Sequence, residues 1–481
     1  MPVLLLNRLF AASLLLAAAP LVSANFPALG ALESKGARVT AVVLDLDTGK
    51  TIEQRNGDAR LSPASVTKLI TAAAALETWP ADKVFITRVS STAPVAANGV
   101  LNGDLVLHTE GDSTLDHSAL WSLAAQIRAV GVRKVLGEVK VSTAPFGPLG
   151  CETKDRCDAL EKSSTAYNAP LAAIGADYGN WCIDIKTITV GAPATITGCG
   201  GMALPIPVEG TIQTLPGNAR LTYWADRFTV NGQDVLRVGG NLPMSAPQSI
   251  YRAMSNPPLG LGLLLRETLK VIGVEVAGSA RVIATPAPGG SREIARVDGL
   301  LLREQLGRML RFSNNYIADL ITLNIAGAAG RAGPLADSSR TLSDYMHRVA
   351  PQATPPPLFS GSGLTPENRL SANELATMLG SVYRDPVRFP ALYGGMVVPR
   401  QAPYAFLRQG SKAWMERVAL KTGTMNVPVS VCGVAGYLRK QDGGWMSFAI
   451  LVNGGSGYKH VPLYKSMEAI RKDIESILAR H

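Results

Sequence analysis

The pattern of apolar and polar positions changes character twice along the chain. At residues 37–54, ARVTAVVLDLDTGKTIEQ reads as a strand, a Thr-Gly turn and a second strand. A helix follows, capped by Ser62 with Pro63 at its first position, and it stops at Trp79-Pro80. From about residue 87 to 290 the chain alternates short strands, Gly/Pro turns and one helix near 117–130. TITVGAPATITG and ARLTYWADRFTVNGQDVLRVGG are β-rich, and ATPAPGGSRE at 284–293 reads as a linker. Helical periodicity returns in LLREQLGRMLRFSNNYIADLITLNIA. Near the end, LKTG leads into VSVCGVAGYL, a QDGG turn and WMSFAILVN, an antiparallel hairpin. The last helix puts Leu463, Met467, Ile470, Ile474 and Ile477 on one face. A strand–strand–helix opening and a strand–strand–helix ending predict one domain built from both ends, with the β-rich middle inserted.

Composition narrows the class. With 481 residues, 47 % apolar and 17 % charged, the chain can bury a large core and is not a disordered polymer. The net charge of +10 is spread out, without a polybasic run or zinc-finger spacing, so nucleic-acid binding has no support. A diffuse basic surface fits an anionic polymer or a loose association with a membrane surface.

The first 24 residues read as a secretory leader: Arg8, the apolar core LFAASLLLAAAPL, and the small-residue cleavage site Val22-Ser23-Ala24. The expected mature protein starts near Asn25 and is exported to the periplasm. Four cysteines, Cys151, Cys157, Cys182 and Cys199, fall within residues 151–199, and Cys432 stands alone in an apolar run. In an oxidising compartment the four allow two bridges in three connectivities, of which the sequence-local pairing, 151–157 and 182–199, is preferred. Cys432 reads as a buried free thiol.

Three short motifs carry candidate chemistry. Ser65 and Lys68 are three apart at a helix start, so hydroxyl and amine share a face. A serine becomes a nucleophile when a base takes its proton, and a lysine is that base once burial or nearby cations lower its pKa. Backbone N–H groups in a first turn lack helical partners, so that of Ser65 can face a developing oxyanion. The same spacing at Ser456 and Lys459, in GGSGYKH, reads as an ordinary loop. Ser313 and Asn315, in FSNNYIAD, pair a proton-relaying hydroxyl with a carboxamide that both donates and accepts. Lys421, Thr422 and Gly423 offer a cation, a hydroxyl and close backbone approach at a strand edge.

In this order the motifs form the signature set of penicillin-binding proteins and serine β-lactamases. The chain resembles the D-alanyl-D-alanine carboxypeptidase/endopeptidase family of low-molecular-mass class C penicillin-binding proteins, peptidase family S13. SPASVTKLIT, LHTEGDSTLD, RMLRFSNNYIAD, SGSGLTPENRLSA and ERVALKTGTMNVPVSVCGVAGYL carry the likeness. It departs at Ser360, where the family has Asp or Asn, at Asp319, where Glu is usual, and around Pro428, where the segment is longer.

The resemblance implies an α+β fold of the serine β-lactamase-like transpeptidase kind, an antiparallel sheet flanked by helices, with two inserted mainly β domains. The expected division is a catalytic domain at 25–86 and 293–481, one insertion at 87–165 and 257–292, and another at 166–256. It implies a serine DD-peptidase acting on D-Ala-D-Ala termini or D-amino-acid cross-links of peptidoglycan stem peptides, and acylated by β-lactams. Ser65 would attack, Lys68 would be the acylation base, and Ser313 would relay the proton to the leaving amine. Asn315 would hold the substrate amide, Lys421 and Thr422 would meet the terminal carboxylate beside Gly423, and Thr424 would give the second oxyanion N–H. No metal or organic cofactor is implied. A serine β-lactamase shares the motifs, but no Glu-x-x-Leu-Asn element for activating the deacylating water is evident. A catalytically idle wall-binding protein is the remaining alternative, against which the intact motifs argue. The sequence does not choose between carboxypeptidase and endopeptidase, nor give the oligomeric state.

Overall fold

The structure is a computed structural model that describes residues 26–144 and 146–481. The expected leader and the expected start at Asn25 lie outside the described residues. Among the described residues, no helix is long and apolar enough to cross a membrane.

The two ends of the chain meet in one antiparallel sheet. Its strands are β1 (Arg38–Asp45), β2 (Thr51–Arg55), β3 (Val418–Met425), β4 (Val431–Arg439) and β5 (Trp445–Asn453). Their order is β2-β1-β5-β4-β3, so β1 pairs with the C-terminal hairpin, Arg38 opposite Asn453 and Asp45 opposite Met446. β3 is an edge strand.

These strands are apolar on both sides because both sides are covered. Val39, Ala41, Val43, Phe448, Ile450 and Val452 pack against α1 (Pro27–Glu33) and the C-terminal helix. Val42, Ala449 and Leu451 face the opposite way, toward α2 (Lys68–Thr78), the helix Leu302–Arg311 and α4 (Asn315–Ala328). The period-two alternation of a strand thus sorts one run of residues into two cores.

The middle of the chain leaves and returns side by side, because Ile86–Ser91 pairs antiparallel with Arg292–Asp298. Between them lie further sheets and the helices His117–Ala129 and Pro257–Val271. One apolar cluster runs through Val89, Leu107, Leu120, Trp181, Leu236 and Leu265. Here too is the short helix α3 (Lys154–Glu161). The disulfides are Cys151–Cys157 and Cys182–Cys199, the sequence-local pairing, and Cys432 is buried and free.

Local expectations need correction in three places. Ser62 is not a helix cap. Its N–H and carbonyl are both held by the Asn453 carboxamide, at 2.9 and 3.0 Å, and its buried hydroxyl has no partner among the described residues. Pro63 precedes a 3-10 turn, Ala64–Thr67, which leads into α2. The helical run from 301 to 326 breaks at Phe312-Ser313-Asn314. There Ser313 has φ +56°, and Asn314 caps α4 by accepting from the Ile317 N–H. In the last helix, Met467, Ile470, Ile474 and Ile477 are buried but Leu463 is exposed, because it is the first residue of Leu463–Arg480 and precedes the packed turns.

Candidate active site

The three motifs converge where the 3-10 turn crosses strand β3. Ser65 sits on that turn, half-buried, and Lys68 opens α2, fully buried. Ala64, beside them, holds φ +45°, a conformation few non-glycine residues adopt. Such strain needs a surrounding that fixes it, and Gly363 is part of that surrounding. It adopts φ +72°, and a Cβ on it would fall 2.0 Å from the Ala64 carbonyl.

Strand β3 approaches from the other side. A Cβ on Gly423 would lie 2.4 Å from the Pro63 carbonyl and 2.9 Å from the backbone nitrogen of Ser65. Only glycine lets the strand come this close. On the open edge, Leu420 exchanges both backbone hydrogen bonds with Val397. Strand N–H groups alternate in direction, so those of Thr422 and Thr424 point to the same edge as that of Leu420. The exposed Thr424 thus offers an unpaired-edge N–H next to the turn that carries Ser65.

Lys68 is the centre of the polar network. Its Nζ donates to Ser65 Oγ at 2.9 Å, to Asn315 Oδ1 at 2.7 Å and to the Ser362 carbonyl at 2.6 Å. Burial pushes its pKa well below the usual lysine range; the positive charges of Lys421 and Arg156 push the same way, and Asp319 opposes them. When Lys68 loses its proton, two N–H bonds and a lone pair remain. Two of its three neighbours are carbonyl oxygens, which can only accept, so the lone pair must face the Ser65 hydroxyl.

Lys421 is also buried, and its pKa is pushed down by burial to about 7. Its Nζ donates to Ser313 Oγ at 3.0 Å and to the Thr422 carbonyl at 2.6 Å. Asn315, at the start of α4, bridges two parts of the chain. Its Oδ1 receives Lys68 and its Nδ2 donates to the Tyr167 carbonyl at 2.9 Å. One N–H of that carboxamide remains for a ligand, rather than the whole group.

Ser65, Lys68, Ser313, Asn315, Lys421 and Gly423 are therefore in one connected site, with Thr422 and Thr424 on its strand edge. The second Ser-x-x-Lys, Ser456 and Lys459, is in a loop elsewhere, where the Lys459 carbonyl accepts from the Ser430 N–H. Sequence reasoning missed Ser362, Asp319 and Arg156 as site residues. Asp319 Oδ1 accepts the Ser362 N–H at 2.8 Å, and its Oδ2 accepts from Arg156 at 2.7 Å. The GSG run at 361–363 was the available signal for Ser362; no local pattern marks Arg156. As for a metal site, His117, Asp177 and Cys182 come within 4.8 Å of one another. Cys182 is bonded to Cys199, and His117 Nδ1 pairs with Asp177 Oδ1 at 3.1 Å, so this is an ion-pair-like contact beside a disulfide.

Comparison with known proteins gives the family and the fold. A family model described as D-Ala-D-Ala carboxypeptidase 3 (S13) matches residues 25–474. The chain belongs to that family. It is a D-Ala-D-Ala carboxypeptidase with the α+β penicillin-binding-protein fold. A D-alanyl-D-alanine carboxypeptidase from Actinomadura sp. (strain R39) is 28 % identical over 437 residues, which cover 88 % of this chain and 79 % of the relative. Penicillin binding protein 4 from Haemophilus influenzae superposes with a TM-score of 0.74 at 20 % identity, covering 94 % of this chain and 99 % of that one. A second structure of that protein holds a β-lactam. A predatory peptidoglycan endopeptidase from Bdellovibrio bacteriovorus gives a TM-score of 0.53 at 12 % identity, over 92 % of this chain and 93 % of that one.

Proposed function

We propose that this S13 carboxypeptidase is exported to the periplasm and works there through a Ser65 acyl-enzyme, and that β-lactams trap that intermediate. The observation that carries the reading is the environment of Lys68, whose two carbonyl neighbours leave its lone pair only the Ser65 hydroxyl.

Neutral Lys68 takes the Ser65 proton as Oγ attacks the carbonyl carbon between two D-alanines. The resulting oxyanion lies between the backbone N–H groups of Ser65 and Thr424. The tetrahedral intermediate collapses as the proton taken up by Lys68 passes through the Ser313 hydroxyl, which Lys421 orients, to the leaving amine, and Lys68 is neutral again. D-Ala departs and an ester to Ser65 remains. Water then cleaves the ester, releases the shortened peptide and restores the serine. Lys421, with Thr422, meets the free carboxylate of the substrate. A penicillin carries a carboxylate on the ring fused to its β-lactam, a charge the same lysine can meet, which supports its reaction with the same serine.

The leader-like residues 1–24 and the two disulfides support export. The endopeptidase relative supports cross-link cleavage as a second activity on the same site. The test is fluorescent-penicillin labelling of the mature protein, with peptide mapping of the adduct. A stable adduct on Ser65 supports the reading. Rapid turnover of the drug would make the protein a β-lactamase, and absence of labelling would make it a wall binder. Assay on a pentapeptide and on a cross-linked muropeptide separates the two peptidase activities.

A further inference from the structure

Arg156 lies in the inserted middle of the chain, yet it is buried beside the catalytic centre. Arg156 and Asp319 form an ion pair at 2.7 Å with both side chains 0 % exposed. Arg156 belongs to α3, and its neighbour Cys157 closes a short loop through Cys151. Glu152, in the same loop, accepts from the Leu335 N–H at 3.2 Å, a second tie to the body of the catalytic domain. Asp319 lies one turn into α4 from Asn315 and holds the Ser362 N–H at 2.8 Å. The carbonyl of that same Ser362 is one of the two that fix Lys68.

We propose that Arg156 and Asp319 are a positioning pair through which the inserted segment sets the reactivity of Lys68. Asp319 fixes the Ser362 carbonyl against the amine, and Arg156 offsets part of the negative charge that would otherwise hold the amine protonated. The inference rests on Lys68 acting as the base of the proposed mechanism.

The charged groups around Lys68 are few. Lys421 acts from β3, Asp319 from α4 and Arg156 from α3; Ser65, Asn315 and the Ser362 carbonyl are its neutral partners. A carboxylate in low dielectric near an amine stabilises the ammonium strongly. Without a counter-cation, Asp319 would draw a proton onto Lys68 and remove the base at neutral pH. A bridge to Arg156 keeps Asp319 available as an acceptor for the Ser362 N–H while blunting its field. The direction of each charge's effect on Lys68 agrees with this: Arg156 lowers its pKa and Asp319 raises it.

The experiment measures the rate of penicillin acylation at Ser65 against pH for the full mature chain. The rising limb reports loss of the Lys68 proton. For R156M the limb should move to higher pH by about one unit or more, the size expected from one uncompensated charge nearby. R156K, which keeps the charge, should stay near the wild-type midpoint. D319N should move the limb to lower pH, since its carbonyl still accepts from Ser362 but carries no charge. The double variant R156M/D319N should return toward the wild-type midpoint. Slower acylation with unchanged midpoints in R156M and D319N would overturn the proposal and leave the pair a purely structural contact. If R156M shows no cooperative melt, D319N and R156K decide alone: an unmoved D319N midpoint overturns it. A wild-type protein that fails to label, or labelling that persists in S65A, would instead remove the mechanism on which the inference rests.

Discussion

Lys68 Nζ stands 2.9 Å from Ser65 Oγ, with its two other hydrogen bonds directed to carbonyl oxygens. In the proposed mechanism these two are nucleophile and base, and the two carbonyls leave the amine's lone pair only the hydroxyl to face. The expected result for Ser65→Ala is loss of both β-lactam acylation and peptidase activity, with an unchanged melting temperature, since the side chain is only half-buried. An adduct retained by the variant and mapped to Ser456 would contradict it.

Lys421 separates two roles that a buried cation can play. If its ammonium meets the substrate carboxylate, Lys421→Ala loses a charge-assisted hydrogen bond of roughly 1.5–3 kcal/mol. That amounts to about one or two orders of magnitude in acylation efficiency. An amidated substrate should lose less by that same factor, since only the lost hold on Ser313 then remains. If Lys421 served only to lower the pKa of Lys68, the losses on free and amidated substrates would be equal. Rates for both proteins on both substrates form the cycle that decides.

The pH dependence of stability follows from the same residue. The pKa of Lys421 is about 7 in the fold, and that of an unfolded lysine is about 10.4. Between these values the unfolded chain binds the extra proton, so stability contributed by this group rises with pH across that window. Below about pH 7 the full cost of the buried cation is present. Lys421→Met should therefore melt higher than wild type at pH 7, by an amount that shrinks as the pH approaches 10. A constant difference in melting temperature across that range would show that the burial of Lys421 carries no such penalty.

Gly423 tests the close crossing of strand and turn. An added methyl would meet the Pro63 carbonyl and the Ser65 nitrogen at 2.4 and 2.9 Å, both backbone atoms that cannot swing aside. Gly423→Ala should displace Ser65 and cut acylation by about two orders of magnitude, the scale at which small misplacements act. Acylation within a few-fold of wild type would mean that the strand can retreat without harm to the site.

The cysteine pairing predicts one free thiol in denatured, unreduced protein, from Cys432. Burial pushes that thiol up to about 12 in the fold, so it should resist alkylation until the chain unfolds. Replacing Cys151 and Cys157 with serine should cost roughly 2 kcal/mol, the low end expected for so short a loop. Thiol titration and denaturant melts check both values; three or more free thiols would reject the pairing.

What the sequence determined by itself is what depends on near neighbours. The β1–β2 and β4–β5 hairpins, the 117–129 helix and the α2 helix follow from period and turn chemistry, which act over a few residues. Ser65 and Lys68 are legible for the same reason, since one turn of chain brings them together. The two disulfides join cysteines 6 and 17 positions apart. Local rules also misread some sites. Ser62 has the composition of a cap, but Asn453, 391 positions away, takes its peptide group. The 301–326 run is periodic enough for one helix, yet it breaks at Ser313, whose hydroxyl meets Lys421, 108 positions on. Only the tertiary structure decided that Lys68 would face Asn315 and Ser362, 247 and 294 positions away, and that Arg156 would reach Asp319 across 163. Contacts at such separations leave no period in the sequence. They exist because the folded core desolvates these groups together, and a buried charge must then find its partners wherever the chain has brought them.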